Sequence, residues 1–456
     1  MESINPHNGR SLKTYERDSA ERIESVVQDA HKTFLNWRNQ SFSQRATLMK
    51  AAAVALREKK NVLAELMADE MGKVLRDGIA EVEKCALCCE YYAENAENFL
   101  QNHKVETDAV DSYVAFDPLG IVLAVMPWNF PFWQVFRFAC PSLMAGNVGI
   151  LKHASNVTGC ALAIEEIFKV AGFPKGAFTT VLVPGGEVEK LIRHPLVKAV
   201  TLTGSTPAGQ SVASVAGSEL KKCVLELGGS DAYLVLEDAN LDLAVDICAK
   251  SRLINVGQSC IAAKRFIVVA SLRQEFERRF VEKFRAIHIG DPRDEKSSMG
   301  PMARRDLRDE VHEQVKKSCQ QGAKLLLGGI IPDGPGAYYP ATVLSGVKPG
   351  MTAFDEEIFG PVAAIIEAKD EADAIRLANL SVFGLGAAIF TQDKKRADRL
   401  AREIEAGSVF INTMVKSDSR LPFGGVKRSG YGRELSWFGI QEFVNIKTVF
   451  HAAAAK

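Results

Sequence analysis

Three residues of complementary chemical type stand out along this chain. Cys260 lies in Gly257-Gln258-Ser259-Cys260-Ile261, Glu226 in Glu226-Leu227-Gly228-Gly229-Ser230, and Asn129 in Pro127-Trp128-Asn129-Phe130-Pro131. A low-pKa thiolate attacks a carbonyl carbon, and a carboxylate can draw a proton from the water that later opens the adduct. An asparagine amide is a neutral donor suited to an oxygen that gains charge as its carbon becomes tetrahedral. Each residue also has a plainer reading. Cysteine is commonly a small buried apolar side chain, and an aromatic loop between prolines commonly packs a core. None of the eight histidines stands in a motif that would pair with Cys260, which argues against a cysteine hydrolase.

These residues need elements to bring them together. Ile121–Met126 reads as a buried strand, followed by strands at 148–151, 181–183, 199–203 and 223–227, with helices at 132–145, 158–171, 188–193 and 207–216 between them. Such alternation predicts a parallel, doubly wound sheet with its ligands at the carboxyl ends of the strands. Asn129 and Glu226 both follow such ends. A second α/β region runs from Gly229 to about Gly432. The first hundred residues read as helical, with start signals at Asp18/Glu21 and Ser41/Gln44 and an amphipathic stretch from Ile79 to Leu100. Cys85, Cys88, Cys89 and Tyr92 share one face of that stretch and read as core, because no histidine or second cysteine pair completes a metal site. The segments 111–116 and 445–450 read as strands of a projecting arm that pairs between subunits, a plain surface hairpin being the alternative.

Lysine plus arginine and aspartate plus glutamate both total 56, so there is no basic field for nucleic acid and no polybasic anchor for a membrane. The chain has no apolar run of membrane-spanning length and no leader-like N-terminus. Nine cysteines in a large chain read as reduced thiols, hence a cytoplasmic protein. No Gly-x-Gly-x-x-Gly follows the first buried strand; Thr203-Gly204-Ser205-Thr206-Pro207 instead opens a helix whose free N–H groups suit a pyrophosphate.

Together the strings P-W-N-F-P, L-T-G-S-T, E-L-G-G-S, G-Q-S-C and E-E-I-F-G-P-V resemble the aldehyde dehydrogenase superfamily in identity, order and spacing, over essentially the whole chain. The resemblance implies two doubly wound α/β domains and a small β oligomerisation arm. Residues 1–100 and 119–228 would form the dinucleotide-binding domain, 229–433 the catalytic domain, and 101–118 with 434–456 the arm of a homodimer or homotetramer. It further implies Cys260 as nucleophile, Glu226 as base for the hydrolytic water, and Asn129 with the Cys260 backbone N–H as oxyanion hole. Trp128, Lys152, Ser155, Gly204, Ser205, Leu227, Glu357 and Phe359 would contact the dinucleotide. Related NAD enzymes often carry glutamate where Ser155 stands, so the resemblance favours NADP, with NAD as the alternative.

Phe132-Trp133-Gln134-Val135-Phe136-Arg137 with Ser259-Cys260 is similar to NADP-type succinate-semialdehyde dehydrogenases of bacteria and cyanobacteria. That likeness gives Arg137, Ser259 and Ser417 the substrate's distal carboxylate. Glutarate semialdehyde, a small neutral aldehyde such as glycolaldehyde, and an inactive binding relative of the fold are the other readings. Arg137 reads alternatively as a helix-surface residue with its stem packed on apolar neighbours.

Overall fold

Long apolar runs without alternation form strands that are covered on both faces, and here they build two largely parallel sheets. The structure, a computed structural model, describes residues 1–452. Residues 453–456, the end of the expected arm, lie outside the described residues.

The first sheet has six strands in the order 430–431, 222–226, 197–203, 121–126, 148–153, 178–180, parallel except for the 430–431 edge. The chain winds outward from 121–126 to 178–180, then returns to lay 197–203 on the other side of 121–126. Its direction therefore reverses between those two strands, opening a crevice at their carboxyl ends. Asn129 and Ser205 follow the two strands that flank it. The seven-stranded second sheet is ordered 324–327, 342–345, 362–368, 265–269, 232–235, 386–390, 408–411, with only the first pair antiparallel.

Four helices, Ala20–Trp37, Phe42–Glu58, Lys60–Met71 and Leu75–Phe99, precede the first sheet. Ser41 and Gln44 form a reciprocal capping box. The first helix corrects the sequence reading. Its cap is Ser19, which accepts from Arg22 N, while Asp18 turns away to accept from Leu182 N (2.7 Å). The strand expected at 181–183 is Phe178–Thr180, because the apolar Val181-Leu182-Val183 run packs just past the strand's end. Cys85, Cys88, Cys89 and Tyr92 are completely buried in the first core.

The two arm segments pair with each other along their whole length, Val444 opposite Pro118 through His451 opposite Asp111. Intrachain pairing thus satisfies one edge of each, and 444–451 remains the outer strand of a three-stranded sheet. Ile446 and Phe450 point outward from it, more than half exposed. No helix among the described residues is long and apolar enough to cross a membrane.

Candidate active site

Cys260 follows a turn in which Asn255, Val256 and Gly257 all have positive φ (51°, 60° and 72°). For a β-branched valine that conformation is strained, so the surroundings must enforce it. Arg252 donates to Gly257 O (2.6 Å), and Asn255 Nδ2 donates to the carbonyls of Asn129 (2.7 Å) and Gln258 (3.1 Å). Lys264, wholly buried, donates to the carbonyls of Ser259, Cys260 and Ala262. Gly257 is required, since a side chain there would strike the Gly360 carbonyl. The result is a rigid loop that presents the sulfur and leaves the Cys260 backbone N–H without a protein acceptor among the described residues.

Two cavities of about 270 Å³ each share Cys260 in their walls. One is the crevice of the first sheet, lined by Trp128, Asn129, Gly204, Ser205, Leu227, Glu357 and Phe359. The other is walled by Trp133, Arg137, Ser259, Ser417 and Phe423, among others. Most of the sequence-derived candidates therefore fall on two sides of one sulfur, while Glu226, Lys152 and Ser155 line neither cavity. Asn129 reaches this point because its loop is held from beneath: His153 hydrogen-bonds Pro131 O (2.9 Å) and Lys73 donates to Asn129 O (3.1 Å). Its amide donates to Gln258 O (3.1 Å), leaving one N–H for another acceptor.

The low-pKa thiolate expected for Cys260 is not what the surroundings give. Burial pushes the thiol up to about 12, against the pull of Arg137 and Lys264. Glu226 is buried to 2% exposure, and neither carboxylate oxygen has a hydrogen-bond partner. Burial, reinforced by Glu434, holds its carboxyl well above the usual range. It lines neither cavity and lies behind their walls.

Arg137 is only 1% exposed, which removes the helix-surface alternative. Its guanidinium is already engaged: it ion-pairs with buried Glu434, donates to Thr203 Oγ1 (3.2 Å) and lies over the Phe423 ring. The helix that carries it, Trp133–Met144, is capped by Glu81, which accepts from Phe132 N and Trp133 N (2.9 Å each) and ion-pairs with buried Lys73. Sequence reasoning missed Glu434, the Lys73–Glu81 pair and Lys84, whose ammonium donates to Ser417 Oγ (2.7 Å).

The crevice fits a nicotinamide dinucleotide. Ser205 caps the Thr206–Ser218 helix, with proline in its first turn, at the end that would face a pyrophosphate. Lys152 is 8% exposed yet has no protein partner among the described residues. Glu357 ion-pairs with Lys264 (3.2 Å) and accepts from Gly229 N (3.1 Å), and a side chain at Gly228 would strike its carboxylate. Trp128 and Phe359 meet edge to face, their ring centroids 5.8 Å apart.

Comparison with known proteins gives the family. Residues 1–449 match the model of the aldehyde dehydrogenase family. A Synechocystis protein named as a probable NADP(+) succinate-semialdehyde dehydrogenase is 50% identical over 99% of both chains. The NAD(P)+ succinate semialdehyde dehydrogenase Sad of Escherichia coli is 48% identical over 98% of this chain and 97% of its own. The crystal structure of a Streptococcus pyogenes succinic semialdehyde dehydrogenase with NADP+ superposes with a TM-score of 0.97 at 36% identity, covering 99% of this chain and all of the other.

Proposed function

The chain belongs to the aldehyde dehydrogenase family, and from that premise we propose that it oxidises succinate semialdehyde to succinate with NADP+ as preferred oxidant. The observation that carries the reading is the position of Cys260 between the crevice at the carboxyl ends of the first sheet and a second cavity walled by cationic and hydroxyl side chains. The Cys260 sulfur adds to the aldehyde carbon, its proton passing to water, while the Asn129 amide and the Cys260 backbone N–H hold the oxyanion. A dinucleotide held in the crevice would supply the acceptor for the carbon's hydrogen and its electron pair, which would leave a thioester on Cys260. Glu226, swung out to Cys260 and ionised by solvent there, takes a proton from the water that attacks the thioester. Succinate departs and Cys260 is released. Arg137, Ser259 and Ser417 surround the distal carboxylate.

Trp128, Gly204, Ser205, Leu227, Glu357 and Phe359 hold the dinucleotide in this reading, and Lys152 with Ser155 receives the 2′-phosphate. The outer arm strand supports assembly into a homodimer or homotetramer. Nine free thiols suit a reducing compartment such as the cytoplasm. Initial rates of reduced-cofactor formation test the proposal, using succinate semialdehyde, glutarate semialdehyde, glycolaldehyde and butyraldehyde with each of NADP+ and NAD+. Succinate semialdehyde with NADP+ should give the highest kcat/KM. A higher value for another aldehyde would replace the substrate, and a higher value with NAD+ would remove the Ser155 argument.

A further inference from the structure

Four cationic side chains line the cavity on the substrate side of Cys260: Lys73, Lys84, Arg137 and Lys416. Lys73 is held by Glu81, Arg137 by Glu434, and Lys416 is exposed. Lys84 differs from all three. Its half-buried ammonium lies 4.0 Å from the centroid of the Trp133 ring and donates only to a neutral hydroxyl, with no carboxylate paired to it among the described residues.

That hydroxyl is informative in turn. Ser417 Oγ accepts from Lys84 Nζ (2.7 Å) and from Trp133 Nε1 (3.1 Å), so both its lone pairs are occupied. Its own hydrogen has no acceptor among the described residues, although Ser417 is only 7% exposed. At this point the wall therefore offers spare ammonium hydrogens beside a spare hydroxyl hydrogen, a patch of adjacent donors. Such a surface is completed by an anion, not by a neutral chain end. Of the carboxylates in the same wall, Glu81 is consumed by Lys73 and two backbone N–H groups, and exposed Asp77 sits beside Arg76.

We propose that Lys84, with the Ser417 hydroxyl, is the principal anchor of the substrate's distal carboxylate. The inference rests on the succinate-semialdehyde reading above and deepens it. Arg137 shapes the field of the cavity but gives its closest contact to Glu434; a second carboxylate on the same guanidinium would sit against the first. An aldehyde with its carbonyl at Cys260 and its other end at Lys84 must carry the negative charge at that other end.

Lys84→Met keeps an apolar stem on Trp133 and removes the charge. The measured quantity is the ratio of kcat/KM for succinate semialdehyde to that for butyraldehyde, which lacks the carboxylate. Losing one charge-assisted contact should lower this ratio roughly 10- to 100-fold, with butyraldehyde turnover within a few-fold of wild type. Lys84→Arg should restore most of it.

The pH dependence of the same ratio gives a second reading, because ionisation of Cys260 affects both aldehydes and cancels. Burial and Arg137 bring Lys84 down to about 8, against the smaller pull of Cys85, Cys88 and Glu81, with Asp77 and Lys416 also lining the cavity. The ammonium is present below that value and lost above it, so the wild-type ratio should fall through this range and stay flat in Lys84→Arg. A wild-type enzyme without preference for succinate semialdehyde would sink the functional reading before any variant is made. An unchanged ratio in Lys84→Met, or equal losses on both aldehydes, would overturn the role of Lys84 alone.

Discussion

At Cys260 the enclosing protein raises the thiol to about 12, more than Arg137 and Lys264 pull it back, so the free enzyme holds a protonated sulfur. Its deprotonated fraction grows with pH across the whole accessible range. Iodoacetamide labelling of Cys260 should therefore keep accelerating up to roughly pH 10, where a low-pKa thiolate would have levelled off near neutrality. Mass spectrometry of the Cys260 peptide at timed intervals reads this directly, and a plateau at neutral pH would contradict it. Glu226 supplies the second prediction at this scale. Glu226→Gln fills the same buried space without an ionisable proton acceptor, so acylation should survive while hydrolysis slows by about 100-fold or more. Rapid mixing should show a burst of reduced cofactor, and intact mass an acyl adduct on Cys260. A variant with an unchanged steady rate would remove Glu226 from the mechanism.

Among the elements, the Trp133–Met144 helix depends on a charge pair outside itself. Glu81 caps it while neutralising Lys73, and both side chains are almost wholly buried. Glu81→Gln keeps an acceptor for the two backbone N–H groups but strands the Lys73 charge, which should cost about 3–5 kcal/mol of stability. Adding Lys73→Met should recover much of that loss in denaturant titration; a single variant as stable as wild type would show that the pair holds nothing. This pair also marks where the sequence stops being readable. Buried parallel strands such as Ile121–Met126 announce themselves as unbroken apolar runs, and Cys260, Glu226 and Asn129 sit in distinctive strings at strand and loop ends. Glu81 and Lys84 instead lie in a helix whose Glu-Lys pattern resembles a solvated face. Only the packing of that helix against Trp133–Met144 turns them inward. Glu434 was hidden similarly, far along the chain from the Arg137 it meets.

The arm belongs to the scale of the whole molecule. Its outer strand, 444–451, leaves one row of backbone groups unpaired and exposes Ile446 and Phe450. If that edge joins subunits, Ile446→Asp combined with Phe450→Asp should shift light-scattering mass to a smaller species while far-UV circular dichroism stays unchanged. A wild-type chain already monomeric at micromolar concentration would end this reading.

Cys260 stands where two cavities meet, in the wall of each. In the proposed reading, aldehyde and acid occupy one cavity and oxidised and reduced dinucleotide the other, so traffic is two-way without a shared seat. Neither visitor has to step aside for its partner, so saturating with one should not wall out the other. Succinate should compete with the aldehyde and NADPH with NADP+, because each product meets only the molecule that takes the same cavity.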